Sequence, residues 1–351
     1  MRIGILAEAF EGGGAERQAA IWARLCAEHG HEVAAVEMLE TDRPFDHPNI
    51  RLLRMPKPRP WDVAKLAVRL RRLSRGLDVI VAFQPYLGLV CAAAGLRTPW
   101  MVVNGKVPYL LGEGSRIPVS AYKLAFDRAD LASTPCQGMV EGHLRMGIRE
   151  RRPWMVIPNI VLDEAFVEDA SGAEDDRQGK GVLFVGRLTS VKNPGLALDS
   201  AAAAGLPLTM LGAGEMQAEL EAKIAGLPEP RARIVPFSRD PWHVFARHRV
   251  LVVTSRVESF GNVIAESLAA GTPVVSVDCD FGPREIIGGA RFSRLTSYSA
   301  TEIGEALAMA VGRPYGPEEA LECREIAGRY RAGAVYPLID EALTRLSAKR
   351  G

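Results

Sequence analysis

Val250–Asp278 reads VLVVTSRVESFGNVIAESLAAGTPVVSVD. The apolar run Val250 to Thr254 is long enough for a strand buried on both faces, and Ser255 to Glu258 follow as a polar turn. Ser259 is placed to cap a helix over Asn262 to Ala270, with apolar residues at Val263, Ile264, Leu268 and Ala269. Gly271 and Pro273 stop that helix before a second apolar run, Val274 to Val277. The pattern is strand, helix, strand. Residues four apart share a helix face, so Glu266 and Asn262 form a stripe leading down towards Glu258. Gly261 leaves the helix mouth open to backbone approach. Its unpaired N–H groups suit an anion, and the two carboxylates suit hydroxyl donors, a pairing that fits a sugar joined to a phosphate. The same letters also describe a solvated turn glutamate and an exposed helix glutamate, and the rest of the chain has to decide between them.

The chain has 351 residues, of which 48% are hydrophobic, enough for about two domains with a core each. Basic and acidic residues nearly balance, 43 against 42, so nothing global argues for nucleic acid and any basic surface is local. Cys26, Cys91, Cys136, Cys279 and Cys323 lie apart with no C-x-x-C, as expected of reduced thiols in a cytosolic protein without a disulfide or zinc site. The opening MRIGILAEAF is too short an apolar run for a signal peptide. Val79 to Val103 is interrupted by Gln84, Pro85, Arg97 and Pro99, and so reads as two strands around a helix rather than a membrane span.

In the first half, Arg2 to Ala7 predicts a strand, Glu8 to Gly14 a glycine loop, Ala15 to His29 a helix closed by Gly30, and Glu32 to Val36 a second strand. Such a βαβ unit brings bare backbone to the carboxyl end of its first strand, with Arg17 in the first helical turn beside it. Glu37 ends the second strand where an acidic residue meets the ribose of a dinucleotide. However, Gly12 to Arg17 lacks the third glycine of that fingerprint. The plainer alternative is that the glycines only make the turn.

Lys57 to Arg75 carries seven basic residues against one acid. Val63, Leu66, Ala67, Leu70 and Leu73 share one helix face, and Lys65, Arg69, Arg71, Arg72 and Arg75 spread over the other. This is either an ordinary docked surface helix or a patch for anionic lipid. Further strands are expected at Asp78 to Phe83, Pro99 to Asn104, Leu131 to Thr134 and Trp154 to Ile157, completing a doubly wound domain by about residue 165. His29, His31, His47 and His143 show no metal spacing and no acidic partner, and read as surface or helix-end residues.

Glu164 to Lys180 is acidic, rich in small residues and without apolar period, as expected of a linker. The expected division is 1–165, a linker at 166–180, 181–325, and a helical segment at 326–351 that packs back on the first domain. After the linker the pattern restarts with strand Gly181 to Val185, loop Gly186 to Lys192 and a helix with Asn193 as N-cap and Pro194 first. Arg187 and Lys192 flank that helix start, where a guanidinium, an ammonium and backbone donors suit a diphosphate. Leu208 to Leu211 leads into the glycine turn at Gly212 to Glu215, and Arg233 to Phe237 makes the next strand. The fold class is therefore α/β, with two Rossmann-like domains facing across a cleft.

The motifs GGGAER near the start, GHEV at Gly30 to Val33, VIPNIV at Val156 to Val161, VGRLTSVKN at Val185 to Asn193, ESFGNVIAES and GTPVVSVDCDFGPREII resemble those of the family-4 glycosyltransferases, which have the GT-B fold. The resemblance runs through nearly the whole chain in order. It implies transfer of a sugar from a nucleotide donor to a lipid-linked or other glycan acceptor with retention of configuration and without a bound metal or other cofactor. By that resemblance Arg187 and Lys192 hold the donor diphosphate, and Glu258 lies by the transferred sugar. Phe260, Gly261 and Asn262 offer backbone, and Glu266 holds the ribose. Gly13 and Gly14 would face the donor and acceptor from the other domain, and Gly186, Gly214 and Phe237 complete the donor's surroundings.

Relatives often carry a histidine in the first domain where this chain has Val102 to Lys106, so Asn104, Lys106 and Arg17 are the acceptor-side candidates. Asp278-Cys279-Asp280 invites a metal reading that relatives with a similar segment do not support. The GPREII segment resembles users of UDP-hexoses or UDP-N-acetylhexosamines more than users of GDP-mannose. The expected setting is the cytoplasm, at the inner face of a bacterial plasma membrane, in envelope glycan synthesis. A UDP-sugar 2-epimerase of the same fold and a non-catalytic nucleotide-sugar binder are the alternatives; the first needs an acid/base cluster that the first half does not obviously supply.

Overall fold

The computed structural model describes residues 1–10, 13–38, 45, 47–55, 63–110, 118–161, 181–227, 231–236 and 242–350. The expected linker at 166–180 lies outside them. The chain divides into two compact units, Met1–Ile160 with Val335–Gly351, and Val161–Ala334.

The first unit runs β1 (Arg2–Ala7), α1 (Gly14–Glu28), β2 (Glu32–Glu37), β3 (Ile50–Arg54), α2 (Val63–Ser74), β4 (Val79–Phe83), α3 (Pro85–Ala94), β5 (Trp100–Val103), α4 (Val119–Arg128), β6 (Leu131–Thr134), α5 (Gln137–Arg145) and β7 (Trp154–Val156). Its sheet has the order β3-β2-β1-β4-β5-β6-β7, with β1 pairing parallel to both β2 and β4. β3 was not expected from the sequence. It is an edge strand whose IRLLR is broken by two arginines and stays partly exposed, so it lacks the continuous apolar run that marked its neighbours.

The second unit runs β8 (Val182–Val185), α6 (Pro194–Ala203), β9 (Leu208–Leu211), α7 (Gln217–Ala225), β10 (Ala232–Val235), α8 (Trp242–Ala246), β11 (Val250–Val253), β12 (Val257–Glu258), α9 (Asn262–Ala269), β13 (Val274–Val277), β14 (Asp280–Phe281), α10 (Gly282–Ile287), β15 (Arg294–Thr296), α11 (Ala300–Gly312) and α12 (Pro317–Gly328), ahead of α13 (Ala332–Ser347). The main sheet order is β10-β9-β8-β11-β13-β15. Successive residues of its strands serve opposite cores, as the pleat requires. Leu183, Leu251 and Val253 pack with α9, α10 and α12, whereas Val182, Phe184, Val250 and Val252 pack with α6 and α11. The chain builds outward from β8 to β10 on one side, then returns to place β11 on the other. This makes the gap beyond β8 and β11 a topological switch point, where open α/β sheets bind ligands.

Most of α13 belongs to the first unit, in keeping with the expected packing back of the C-terminal helix. The Tyr336 ring stacks on His29, with centroids 3.6 Å apart, and Lys349 Nζ donates to the Asp130 carbonyl at 3.2 Å. All five cysteines are free and buried. Among the described residues no helix is long and apolar enough to cross a membrane.

β11 is anchored at its start by a buried ionic fork. Arg249 donates to Glu319 of α12 through Nη1 at 2.7 Å and Nη2 at 2.9 Å, Arg313 adds bonds at 3.1 and 3.3 Å, and the Arg249 and Glu319 side chains are each 2% exposed. Removing the carboxylate would leave buried guanidinium charge uncompensated. Glu319→Ala should therefore destabilise the protein by about 3–5 kcal/mol and lower the thermal midpoint by roughly 10 °C, measured by circular dichroism.

Candidate functional site

The site grows from the loops that follow β8 and β11. The first loop is laid against the turn after β9: Gly186 N–H donates to the Leu211 carbonyl at 3.1 Å and Leu188 N–H to the Ala213 carbonyl at 2.9 Å. A Cβ at Gly212 would lie 1.9 Å from the Gly186 oxygen, and one at Gly214 would lie 2.4 Å from the Leu188 oxygen. The glycines of this turn thus let two backbones touch and set the path of the loop carrying Arg187 and Lys192. Arg187 is exposed, and its side chain makes no hydrogen bond or ion pair with a described residue.

The second loop is stitched to the first. Arg256 N–H donates to the Val191 carbonyl at 2.8 Å, and Thr254 Oγ1 lies 3.2 Å from the Lys192 carbonyl and 2.9 Å from that of Asn193. Asn193 caps α6 as expected, though through a left-handed backbone (φ 51°) and not through its side chain. With both loops fixed, Lys192 Nζ meets Glu258 Oε1 at 2.5 Å, and Ser255 Oγ donates to the same oxygen at 2.7 Å. Tyr298 Oη reaches the Ser255 and Arg256 carbonyls at 3.1 and 2.9 Å.

Glu258 is only 7% exposed, which removes the reading of a solvated turn residue. Val257 and Glu258 form β12, paired in register with Asp280 and Phe281 of β14. Gly282 extends this contact, because a Cβ there would lie 1.7 Å from the Phe260 carbonyl oxygen. Cys279 shares the neighbourhood. Burial pushes its thiol up to about 12, with the Glu258 charge adding to the rise.

Gly261, not Ser259, is the N-cap of α9. Its φ of 97° is open to glycine and strained for other residues, so the helix starts by a backbone turn without a side-chain cap. Asn262 and Glu266 stand half-exposed on α9, four residues apart, while Phe260 is buried edge-on against Tyr330 at 5.1 Å. Phe237 lies outside the described residues. Asp278 is ion-paired with Arg284, and among the described residues no group of three or more His, Cys, Asp or Glu is placed to hold a metal ion.

In the first unit, Gly13 is the N-cap of α1, Gly14 its first residue, and Arg17 is half-buried in the first turn. Glu37 is 1% exposed with Arg54 Nε at 3.6 Å, turned inward rather than towards a ribose. Asn104 is fully buried. Its amide bonds the backbone N–H and carbonyl of Lys106, both at 2.9 Å, and the Nε2 of His143 at 2.8 Å. His143 lies at a helix end, as expected, but it is buried and not at the surface, and burial lowers its pKa to about 4. Asn104 therefore shapes the loop at the end of β5, and Lys106 is the partly exposed group that loop presents.

Thr254, Ser255 and Tyr298 were not singled out in the sequence. Two adjacent hydroxyls after an apolar strand were the available signal. Thr254 uses partners 61 and 62 residues away in the loop after β8, and Tyr298 reaches Ser255 across 43 residues from beyond β15.

Two family models match: the "Glycosyl transferase 4-like domain" over residues 13–159 and "Glycosyl transferases group 1" over residues 169–310. The chain is 25% identical over 276 residues to the Campylobacter jejuni "N-acetylgalactosamine-N,N'-diacetylbacillosaminyl-diphospho-undecaprenol 4-alpha-N-acetylgalactosaminyltransferase", covering 74% of this chain and 72% of that one. It is 26% identical over 329 residues to a "GDP-mannose-dependent alpha-mannosyltransferase" of Mycobacterium tuberculosis, covering 87% and 84%. Among solved structures, Anabaena Alr3699/HepE in complex with UDP superposes with a TM-score of 0.79 at 19% identity, over 98% of this chain and 100% of that one. With one model on each half of the chain and two parallel α/β sheets of matching order, this protein belongs to the family-4 glycosyltransferases and has the GT-B fold.

Proposed function

We propose that this glycosyltransferase moves a hexosyl or N-acetylhexosaminyl group from a UDP-sugar, with retention, to a lipid-linked or polysaccharide/glycolipid precursor of a bacterial envelope glycan. The observation that carries the reading is the Lys192–Glu258 pair at the switch point of the second sheet, with Arg187 exposed beside it and the glycine-started α9 following. Lys192, Arg187 and the first N–H groups of α9 supply positive charge for a diphosphate, and Glu258 accepts hydrogen bonds from sugar hydroxyls. Glu266, further along α9, takes the ribose.

In the proposed step the bond from the sugar's anomeric carbon to the diphosphate oxygen breaks as the acceptor oxygen bonds that carbon on the same face. The acceptor proton passes to the leaving phosphate. Charge grows on the diphosphate during this step, so the cations stabilise the transition state more than the ground state. No metal is assigned to the site; the engagement of Asp278 by Arg284 supports that choice.

UDP is favoured by the GPREII segment and by the UDP bound to the Anabaena neighbour. The mycobacterial relative's name favours GDP-mannose, which is the competing reading. The Campylobacter relative's name supports a diphospho-polyprenol class of acceptor. We assign to the membrane the α2 surface on which Lys65, Arg69, Arg71, Arg72 and Arg75 are all exposed around Val68, while Leu66 and Leu70 are buried. That surface would hold the enzyme reversibly at the inner face of the plasma membrane, at about 1 kcal/mol per basic residue.

Two experiments test this reading. In a thermal-shift panel of UDP, GDP, ADP and CDP, UDP at a hundred times its dissociation constant should stabilise the protein by about 2.7 kcal/mol, a shift of a few degrees that survives EDTA. Lys192→Ala and Glu266→Ala should abolish it, and a response to GDP alone would reassign the donor. For the membrane, the protein should pellet with anionic but not neutral liposomes, and high salt or an Arg69→Glu/Arg72→Glu double variant should release it; binding indifferent to lipid charge would remove the assignment.

A further inference from the structure

Glu258 receives both its donors on one oxygen. Lys192 Nζ and Ser255 Oγ each reach Oε1, and no described residue hydrogen-bonds Oε2. The two donors differ in what else can claim them. Lys192 ends a flexible stem, its side chain is 24% exposed, and its ammonium is the group an incoming phosphate attracts. Ser255 is 2% exposed, and its backbone is pinned from several directions. Tyr298 reaches its carbonyl, Arg256 beyond it bonds Val191, and Thr254 before it bonds the Lys192 and Asn193 carbonyls. An anion that draws Lys192 away would leave a nearly buried carboxylate short of a partner, a costly state unless another donor stays.

We propose that Ser255 is a positioning residue that holds Glu258 Oε1 while Lys192 passes from the carboxylate to the diphosphate of the donor, so that Oε2 is presented to a hydroxyl of the transferred sugar. The inference rests on the donor-site reading given above. It separates two contributions to binding. The nucleoside diphosphate alone takes Lys192 and leaves Glu258 to Ser255, whereas a nucleotide sugar also brings Glu258 a hydroxyl donor of its own.

The test compares dissociation constants by calorimetry for UDP against UDP-glucose and UDP-N-acetylglucosamine, and for GDP against GDP-mannose, on the wild type, Ser255→Ala and Ser255→Thr. In Ser255→Ala the nucleoside diphosphate should bind about tenfold more weakly than to the wild type, because drawing Lys192 away strips Glu258 of its donors, while the nucleotide sugar, whose hydroxyl donates to Glu258, should lose less. Ser255→Thr, which keeps the hydroxyl, should restore the ratio. Equal weakening of both ligands, or an unchanged ratio, would overturn the proposal. Ser255→Cys, close in volume and a much weaker donor, repeats the test if alanine disturbs the turn.

A second arm needs no donor: the rate at which acetic anhydride acylates Lys192 in the ligand-free protein, read by mass spectrometry. Loss of the serine hydroxyl leaves the ammonium as the remaining donor on Oε1, so Ser255→Ala should label more slowly than the wild type, whereas Glu258→Gln should label faster. If the wild type binds none of the nucleotides, the donor reading fails and the labelling arm alone decides the role of Ser255, with equal rates overturning it.

Discussion

The contact between the Lys192 ammonium and the Glu258 carboxylate is the constraint on which the second unit turns. A cation and an anion 66 residues apart meet at 2.5 Å because the loops bearing them are bonded to one another. Glycines at 212 and 214 let the loop after β8 lie on the turn after β9, and Thr254 and Arg256 then fasten it to the loop after β11. The sheet order decides that these loops are neighbours at all, since β8 and β11 adjoin at the switch point. Deeper in the unit, the Arg249–Glu319–Arg313 fork fixes the start of β11, so both ends of that strand are held by charge or hydrogen bonds.

The first unit uses the same sheet order for a different surface. The loop after β5 is ordered by neutral groups: Asn104 bridges both backbone groups of Lys106 and the ring of His143, which burial keeps uncharged. Gln18 makes a reciprocal pair of bonds with Ile160, at 2.7 and 2.9 Å, where the chain leaves the unit, and α13 returns to close the unit against His29 and Asp130. The contrast is chemical. The charged, partly open arrangement of the second unit suits an anionic ligand, while the buried amide–imidazole arrangement sets loop shape and leaves Lys106 as the group presented.

Much of this was legible in the residues. Strands buried on both faces show as apolar runs, and β1, β4, β6, β9, β11 and β13 fall within a residue or two of where their runs place them. Arg187, Lys192 and Glu258 were visible as charges at strand ends. Structure that depends on partners far along the chain was not visible. β3 is a half-exposed edge strand, and β12 and β14 are two-residue strands that exist only through each other. Ser259 had the composition of a cap, but Gly261 could take a positive φ, so the backbone itself made the turn. The burial of Glu258 goes with its pairing to Phe281 of β14 and its bond to Lys192, distant partners that no local pattern could report.

The measurement that bears most directly on this account is a crystal structure of the protein soaked with UDP. The diphosphate is expected between Arg187 and the start of α9, with Lys192 Nζ turned from Glu258 to a phosphate oxygen and Ser255 still on Oε1. A diphosphate bound elsewhere, with the Lys192–Glu258 contact intact, would contradict it.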